Sequence, residues 1–340
     1  MINVAINGFG RIGRAFLKLA YNNPDIRIVA INDLGDIENL AYLLTYDTVY
    51  GRTDFDIAVE GTRLSIAGAS IPVYSERDPA QLPWKKHDVD VVVEATGVFT
   101  KYEKAKAHLA AGAKRVVVSA PVKDDPEAAG VNGATVLMGV NDSVLKTCDI
   151  SSNASCTTNA GSPLIAILDE KIGIEKAMLN TVHGYTATQE TVDSPNAKDF
   201  RKGRAAAQNI IPSTTGAAVA TTKALTQLDG KFDGVAMRVP VPLGSIVDIT
   251  FVAKRETSAE EVNDLLREAS NESRWEGIFR ATDEQIVSSD IIGDTHASIA
   301  DLAFTRVVGG NLVKVFSWYD NEMGYANTLV MHVLETGKHV

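Results

Sequence analysis

The most constraining feature is a glycine-rich turn held between a strand pattern and a helix pattern. The apolar run Ile2–Ile6 leads into Gly8-Phe9-Gly10-Arg11-Ile12-Gly13, a G-x-G-x-x-G arrangement. Ile12, Ala15, Phe16 and Leu19 then recur at helical spacing, which predicts a helix over roughly 11–22. A second apolar strand, Arg27–Asn32, ends at Asp33, 20 residues past Gly13. Strand, helix and strand in this order imply a parallel pair. Each part of the motif has a physical task. Gly8 allows the turn, Gly10 lets a pyrophosphate approach the backbone, and Gly13 permits close helix–strand packing. The helix N-terminus offers amides and partial positive charge to phosphates. Asp33 can accept hydrogen bonds from a ribose and would repel a 2′-phosphate, so NAD is expected rather than NADP. The plainer reading of Asp33 is a turn residue at a strand end.

The alternation continues. Further buried strands are expected at Val89–Glu94, Arg115–Ser119 and Val136–Val140, and a helix at Lys101–Ala111 ending at Gly112. Over about 150 residues this describes a doubly wound parallel sheet. Near Ser155 the rhythm changes. Ala177–Tyr185, Gly234–Val241, Ser245–Lys254 and Leu312–Tyr319 read as longer, alternating strands, which suggests a mostly antiparallel or mixed sheet. Helices fit Ala259–Ser270 and about 322–335. The polar stretch Gln189–Arg204 is long for a connection.

With 340 residues, 45% of them apolar, the chain can bury two cores. Its net charge of −10 makes it a poor partner for nucleic acid or an anionic membrane. Two cysteines are too few for a disulfide framework, which fits a reducing cytoplasm. Neither a signal peptide nor a membrane-spanning run is expected, and no metal site is.

Cys156 lies in Ser151-Ser152-Asn153-Ala154-Ser155-Cys156-Thr157-Thr158-Asn159, among small polar residues rather than the aliphatic company of structural cysteines. If Thr157–Lys171 is helical, with Pro163 kinking it or delaying its start, the thiol sits at a helix N-terminus. That position lowers a thiol pKa and favours a nucleophile. Cys148 has no such neighbourhood. His183 follows the apolar strand Met178–Val182. Pattern alone leaves it as a core histidine or a base, and spacing does not show that it meets Cys156.

These segments together resemble the glyceraldehyde-3-phosphate dehydrogenase family. The resemblance rests on Asn7–Arg14, Ser155–Asn159, His183 with Thr186, Ser213–Ala218, Arg238-Val239-Pro240 and Trp318–Glu322, in the family's order and roughly its spacing. It implies a Rossmann-type NAD-binding domain over 1–154 and 321–340, and an α+β catalytic domain over 155–320. By the resemblance, Cys156 attacks the aldehyde and His183 acts as base, giving a thioester that inorganic phosphate cleaves. Thr186 and Arg238 would hold the substrate phosphate. Ser155, Thr157, Thr215 and Gly216 would hold the attacking phosphate, although Thr214–Gly216 alone reads as an ordinary turn. Gly8, Gly10, Gly13 and Asp33, with Arg77, Ser119 and Asn321, would bind NAD, Arg11 and Ile12 through their backbone amides. Gln189–Arg204 would reach a neighbouring subunit in a homotetramer. The implied activity is conversion of D-glyceraldehyde 3-phosphate to 1,3-bisphosphoglycerate.

Ala160 stands where the family often has a second cysteine, and Val241–Gly244 and Met323 also depart from common forms. The nearest rival is erythrose-4-phosphate dehydrogenase, whose thioester is hydrolysed; the retained Thr214–Ala218 segment favours phosphorolysis. A non-catalytic NAD-binding protein on the same scaffold would have no use for Cys156, His183 and both anion sets.

Overall fold

The computed structural model describes every residue except Lys198, which falls inside the expected Gln189–Arg204 loop and lies outside the described residues. The chain forms two compact units, Met1–Ala154 with Ala326–Val340, and Ser155–Tyr325.

The first unit is built on a nine-stranded sheet. Its order is Gly133–Thr135, Ile150–Ser152, Arg115–Val118, Val91–Glu94, Ile2–Asn7, Ile26–Asn32, Ala69–Tyr74, Arg63–Ile66 and Ile57–Glu60. The first seven strands run parallel, and the last two add an antiparallel meander at one edge. The central strands Val91–Glu94 and Ile2–Asn7 are almost wholly buried, as a parallel sheet covered on both faces requires. Helix Arg11–Ala20 follows the glycine turn and buries Gly13, Ala15, Phe16 and Leu17.

Two local expectations fail. The apolar run Val136–Val140 is not a strand; the sheet takes Gly133–Thr135 instead. The side-chain carbonyl of Asn141 accepts the Leu137 amide at 2.8 Å, so the run closes as a turn. Burial of Val136 and Leu137 looked like a strand but reflects a packed turn. The helix expected over 101–111 is two short pieces, Tyr102–Ala105 and Ala107–Ala110.

The second unit has a seven-stranded mixed sheet: Ile211–Thr214, Phe232–Val239, Ile174–Gly184, Ser245–Ala253, Leu312–Tyr319, Ser298–Val308 and Phe279–Thr282. Ile174–Gly184 pairs parallel with Phe232–Val239, and Phe279–Thr282 with Ser298–Val308; the other pairs are antiparallel. Helix Cys156–Lys171 is buried continuously from Thr157 to Leu168 and packs on the sheet. Pro163 lies inside it and does not delay its start. Strand Ser245–Ala253 alternates buried and half-buried residues, so one sheet face meets the core and the other is open. No helix among the described residues is long and apolar enough to cross a membrane.

Candidate active site

In the first unit a cleft of about 410 Å³ opens beside the glycine turn, lined by Gly8, Gly10, Asp33, Arg77, Thr96 and Phe99 among others. Gly8 has φ +95°, and a Cβ there would stand 2.6 Å from the Thr96 nitrogen. At Gly13 a Cβ would come within 2.2 Å of the Gly8 carbonyl oxygen. Both positions therefore exclude a side chain. A Cβ on Gly10 would meet open space, so that backbone is bare toward solvent. Gly10 takes the N-cap position of helix Arg11–Ala20 and offers no side chain to cap it. The cleft thus combines bared backbone at Gly10, the start of a helix and the Asp33 carboxylate. This donor set fits a dinucleotide.

Asp33 has a second task that pattern reading did not show. One carboxylate oxygen accepts the Phe9 amide at 2.6 Å and the other the Gly35 amide at 2.8 Å, so it ties down the glycine turn. The Arg11 guanidinium pairs with Asp47 at 3.0 Å. Ser119 follows strand Arg115–Val118, its amide bonded to the Glu94 carbonyl at 2.9 Å.

In the second unit Cys156 is the first residue of its helix. Ser155 caps that helix, its hydroxyl accepting the Thr158 amide at 3.1 Å. Ala154, just before the cap, sits at φ +55°, a conformation a non-glycine residue rarely holds. The Cys156 sulfur lies 3.4 Å from Nε2 of His183. Sequence spacing could not show this contact; it arises because strand Ile174–Gly184 ends beside the helix start.

The ring of His183 is almost fully buried. Its Nδ1 is 2.6 Å from the Gly184 carbonyl oxygen, and its Nε2 is the nitrogen that faces the thiol. Register places Arg238 directly opposite His183 across the parallel pair. The Arg238 guanidinium touches Nδ1 and donates to the Gly184 carbonyl at 3.1 Å. Burial, and then the Arg238 charge, push the His183 imidazole down to about 3, against the smaller opposite pull of the Gly184 bond.

Burial also pushes the Cys156 thiol up, while Arg238 and the Thr157 amide and hydroxyl pull it back. The expectation that the helix N-terminus alone leaves this thiol below its ordinary value is therefore corrected: desolvation outweighs the terminus. Cys148 is buried and its thiol is raised to about 11, as for an inert structural cysteine.

Residues without an expected role complete the cluster. The Tyr319 hydroxyl bridges Thr157 Oγ1 at 3.0 Å and Thr181 Oγ1 at 2.8 Å. Its ring meets His183 edge to face at 5.8 Å. Ser245 accepts the Gly184 amide at 3.2 Å and donates to Asn321 Oδ1 at 3.0 Å. Oδ1 also accepts the Gly244 amide at 3.2 Å, which fixes the amide so that Nδ2 points away from these donors. Tyr319 lay within a motif singled out in the sequence; nothing in the pattern marked Thr181 or Ser245.

The remaining anion candidates are placed on loops. Thr186 bonds within its own loop, to Thr188 Oγ1 at 3.0 Å and Gln189 Oε1 at 3.2 Å. Thr215 accepts the Ala217 amide at 3.2 Å, and Gly216 caps helix Ala217–Ala224 at a strand-to-helix junction.

Residues 2–102 match the family model for the glyceraldehyde 3-phosphate dehydrogenase NAD binding domain, and residues 155–321 that for its C-terminal domain. Glyceraldehyde-3-phosphate dehydrogenase 1 of Bacillus subtilis (strain 168) is 47% identical over 331 residues, covering 97% of this chain and 96% of the relative. The Streptomyces coelicolor enzyme is 47% identical over 332 residues, with the same two coverages. The Geobacillus stearothermophilus enzyme is 47% identical over 331 residues, again covering 97% and 96%. A thiol against an imidazole in one unit, a dinucleotide cleft in the other and this likeness along nearly the whole chain agree: the protein belongs to the glyceraldehyde-3-phosphate dehydrogenase family and uses NAD.

Proposed function

We propose that Cys156 and His183 carry out the family's reaction in this chain, oxidising D-glyceraldehyde 3-phosphate to 1,3-bisphosphoglycerate. The observation that carries the reading is the 3.4 Å approach of the Cys156 sulfur to His183 Nε2. As the sulfur attacks the aldehyde carbon, Nε2 takes the thiol proton and returns it to the carbonyl oxygen, giving a hemithioacetal and a neutral His183. NAD, when bound, supplies the acceptor for the hydride of that carbon. His183 takes the hydroxyl proton as the carbon becomes a thioester carbonyl. Inorganic phosphate then attacks this carbonyl and displaces the sulfur, which leaves as thiolate. Burial and the Arg238 charge keep His183 neutral before substrate arrives, and they also lower its affinity for the thiol proton.

Arg238 and Thr186 hold the substrate phosphate in this reading, and Ser155, Thr157, Thr215 and Gly216 the attacking one. Gly8, Gly10, Gly13, Arg11, Ile12, Asp33, Arg77 and Ser119 hold the cofactor. Asn321 presents Nδ2 to the nicotinamide carboxamide. Residues 1–154 with the C-terminal helix serve as the nucleotide domain and 155–320 as the catalytic domain.

The working form is a cytoplasmic homotetramer. Val192, Phe200 and Ile210 are largely exposed in and just after the 189–204 stretch, and Met178, Val235, Phe304 and Leu312 are exposed on the second unit's sheet. Apolar exposure of this extent supports burial against further copies.

The test is a steady-state assay on glyceraldehyde 3-phosphate and erythrose 4-phosphate, with and without inorganic phosphate. NADH formation from the triose should require phosphate. Cys156→Ser should lose at least about 10³-fold in kcat. Turnover indifferent to phosphate would overturn the phosphorolytic step, and an active Cys156→Ser would overturn the nucleophile.

A further inference from the structure

Beneath the dinucleotide cleft lies a buried polar cluster that the reaction does not use. Glu94 ends strand Val91–Glu94 and is 1% exposed; His108 and Trp84 are completely buried. Four donors converge on the Glu94 carboxylate. Asn7 Nδ2 donates to Oε2 at 2.5 Å, and His108 Nε2 lies 3.0 Å from the same oxygen. The Thr96 amide donates to Oε1 at 2.9 Å, and the Thr96 hydroxyl bonds that oxygen too.

The tautomer of His108 follows from its other partner. Trp84 Nε1 lies 2.9 Å from His108 Nδ1, and an indole N–H can only donate. Nδ1 is therefore the acceptor and Nε2 carries the hydrogen given to Glu94. The cluster extends to the next strand through Asn32 Nδ2, which donates to Asn7 Oδ1 at 2.7 Å. Asn32 also pairs with the Glu76 backbone in both directions, at 3.0 and 2.9 Å.

What makes the cluster more than core polarity is where it leads. Asn7, Asn32, Glu76 and Thr96 all line the cleft, as does Phe99, whose ring meets His108 edge to face. The Glu94 carbonyl also holds the Ser119 amide. One buried side chain thus joins the glycine turn, the strand end before Asp33 and the 95–99 loop. These are three walls that otherwise belong to separate strands.

From this we infer that Glu94, fixed by His108 and Trp84, is a positioning residue for the cofactor. It holds the adenosine and pyrophosphate side of the cleft in its binding shape before NAD arrives. A fully satisfied buried network rigidifies what it connects, and a partly satisfied one does not. The inference rests on NAD being the cofactor, which the wild-type control checks separately.

The experiment is a titration of the full chain with NAD and, separately, with ADP-ribose, followed by calorimetry. Glu94→Gln turns an NH2 group toward either Asn7 and His108 or the Thr96 amide, so a donor meets a donor in both orientations. Its dissociation constants for NAD and ADP-ribose should both rise, by on the order of tenfold. Trp84→Phe keeps a buried aromatic ring but removes the indole N–H from His108 Nδ1, and should raise both about threefold. In both variants KM for the aldehyde phosphate should stay at the wild-type value, as should the rate of Cys156 alkylation without cofactor. Melting temperatures are measured alongside. Variants that melt earlier yet bind both ligands as the wild type does would reduce the cluster to a stability role and overturn the inference. If Glu94→Gln does not fold, Trp84→Phe decides by the same criterion. Wild-type chain that fails to bind NAD would instead refute the cofactor reading.

Discussion

The nucleotide cleft and the thiol–imidazole cluster are assembled in contrasting ways. The glycine turn of the cleft is local: Gly8, Gly10 and Gly13 fall within six residues, and Asp33 follows the next strand. At Gly8 and Gly13 its geometry depends on backbone that cannot carry a side chain. The catalytic cluster draws Cys156, Thr181, His183, Arg238 and Tyr319 from one helix and three strands, and only strand register brings them together. The lesson is that a phosphate-binding turn can be written in a short stretch of chain, whereas a tuned nucleophile needs the whole sheet.

That contrast can be broken by substitutions whose effects should stay within one region. The largest effect is expected from His183→Asn, which removes the base. kcat should fall about 10²- to 10⁴-fold while the NAD dissociation constant stays within about twofold. A large change in NAD affinity would show that the two regions are not separable. Arg238→Leu comes next. KM for the aldehyde phosphate should rise about 10- to 100-fold through the lost charged contacts. The same variant removes a charge that holds the Cys156 thiol down. Because the thiolate is the reactive form, its alkylation rate without substrate should climb with pH, and the whole profile should move to higher pH in Arg238→Leu. An unmoved profile would mean that Arg238 does not act on the sulfur.

Asp33→Ala probes the local region. The ratio of NADP to NAD efficiency should rise roughly tenfold, since the carboxylate that repels a 2′-phosphate is gone. Absolute affinity for NAD should also drop, because the Phe9 and Gly35 amides lose their acceptor. Paired titrations with both cofactors check this. The smallest effect belongs to Ser245→Ala. Loss of its bonds to Gly184 and Asn321 should raise KM for NAD about threefold, with KM for the aldehyde unchanged. No change would mean that the Gly244 amide alone holds Asn321.

How much of this was readable beforehand follows the same division. The strand–turn–helix unit and the mixed second sheet follow from periodicity and glycine placement, whereas the helix after Cys156 is buried on all sides from Thr157 to Leu168 and carries no one-sided pattern. Val136–Val140 misled because an apolar run is equally consistent with a strand and a buried turn, and the decisive group was the Asn141 side chain. The direction of the thiol shift was misread because helix position is visible in sequence and desolvation is not. Ser245 and Thr181 look like any small polar strand residues; their roles exist only once Asn321 and Tyr319 arrive beside them. Glu94 was visible as the last residue of an apolar strand, but the four donors around it come from three places in the chain.

The parallel pairing of His183 with Arg238 also limits how this protein can change over time. In a strand, a one-residue slip turns every side chain to the opposite face. A single insertion or deletion between 177 and 184, or between 232 and 239, would therefore leave the sheet hydrogen-bonded yet aim the guanidinium away from the ring. Swapping or lengthening segments to build new aldehyde specificities should succeed in the connections beyond Gly184 and Val239, and fail inside those two ladders.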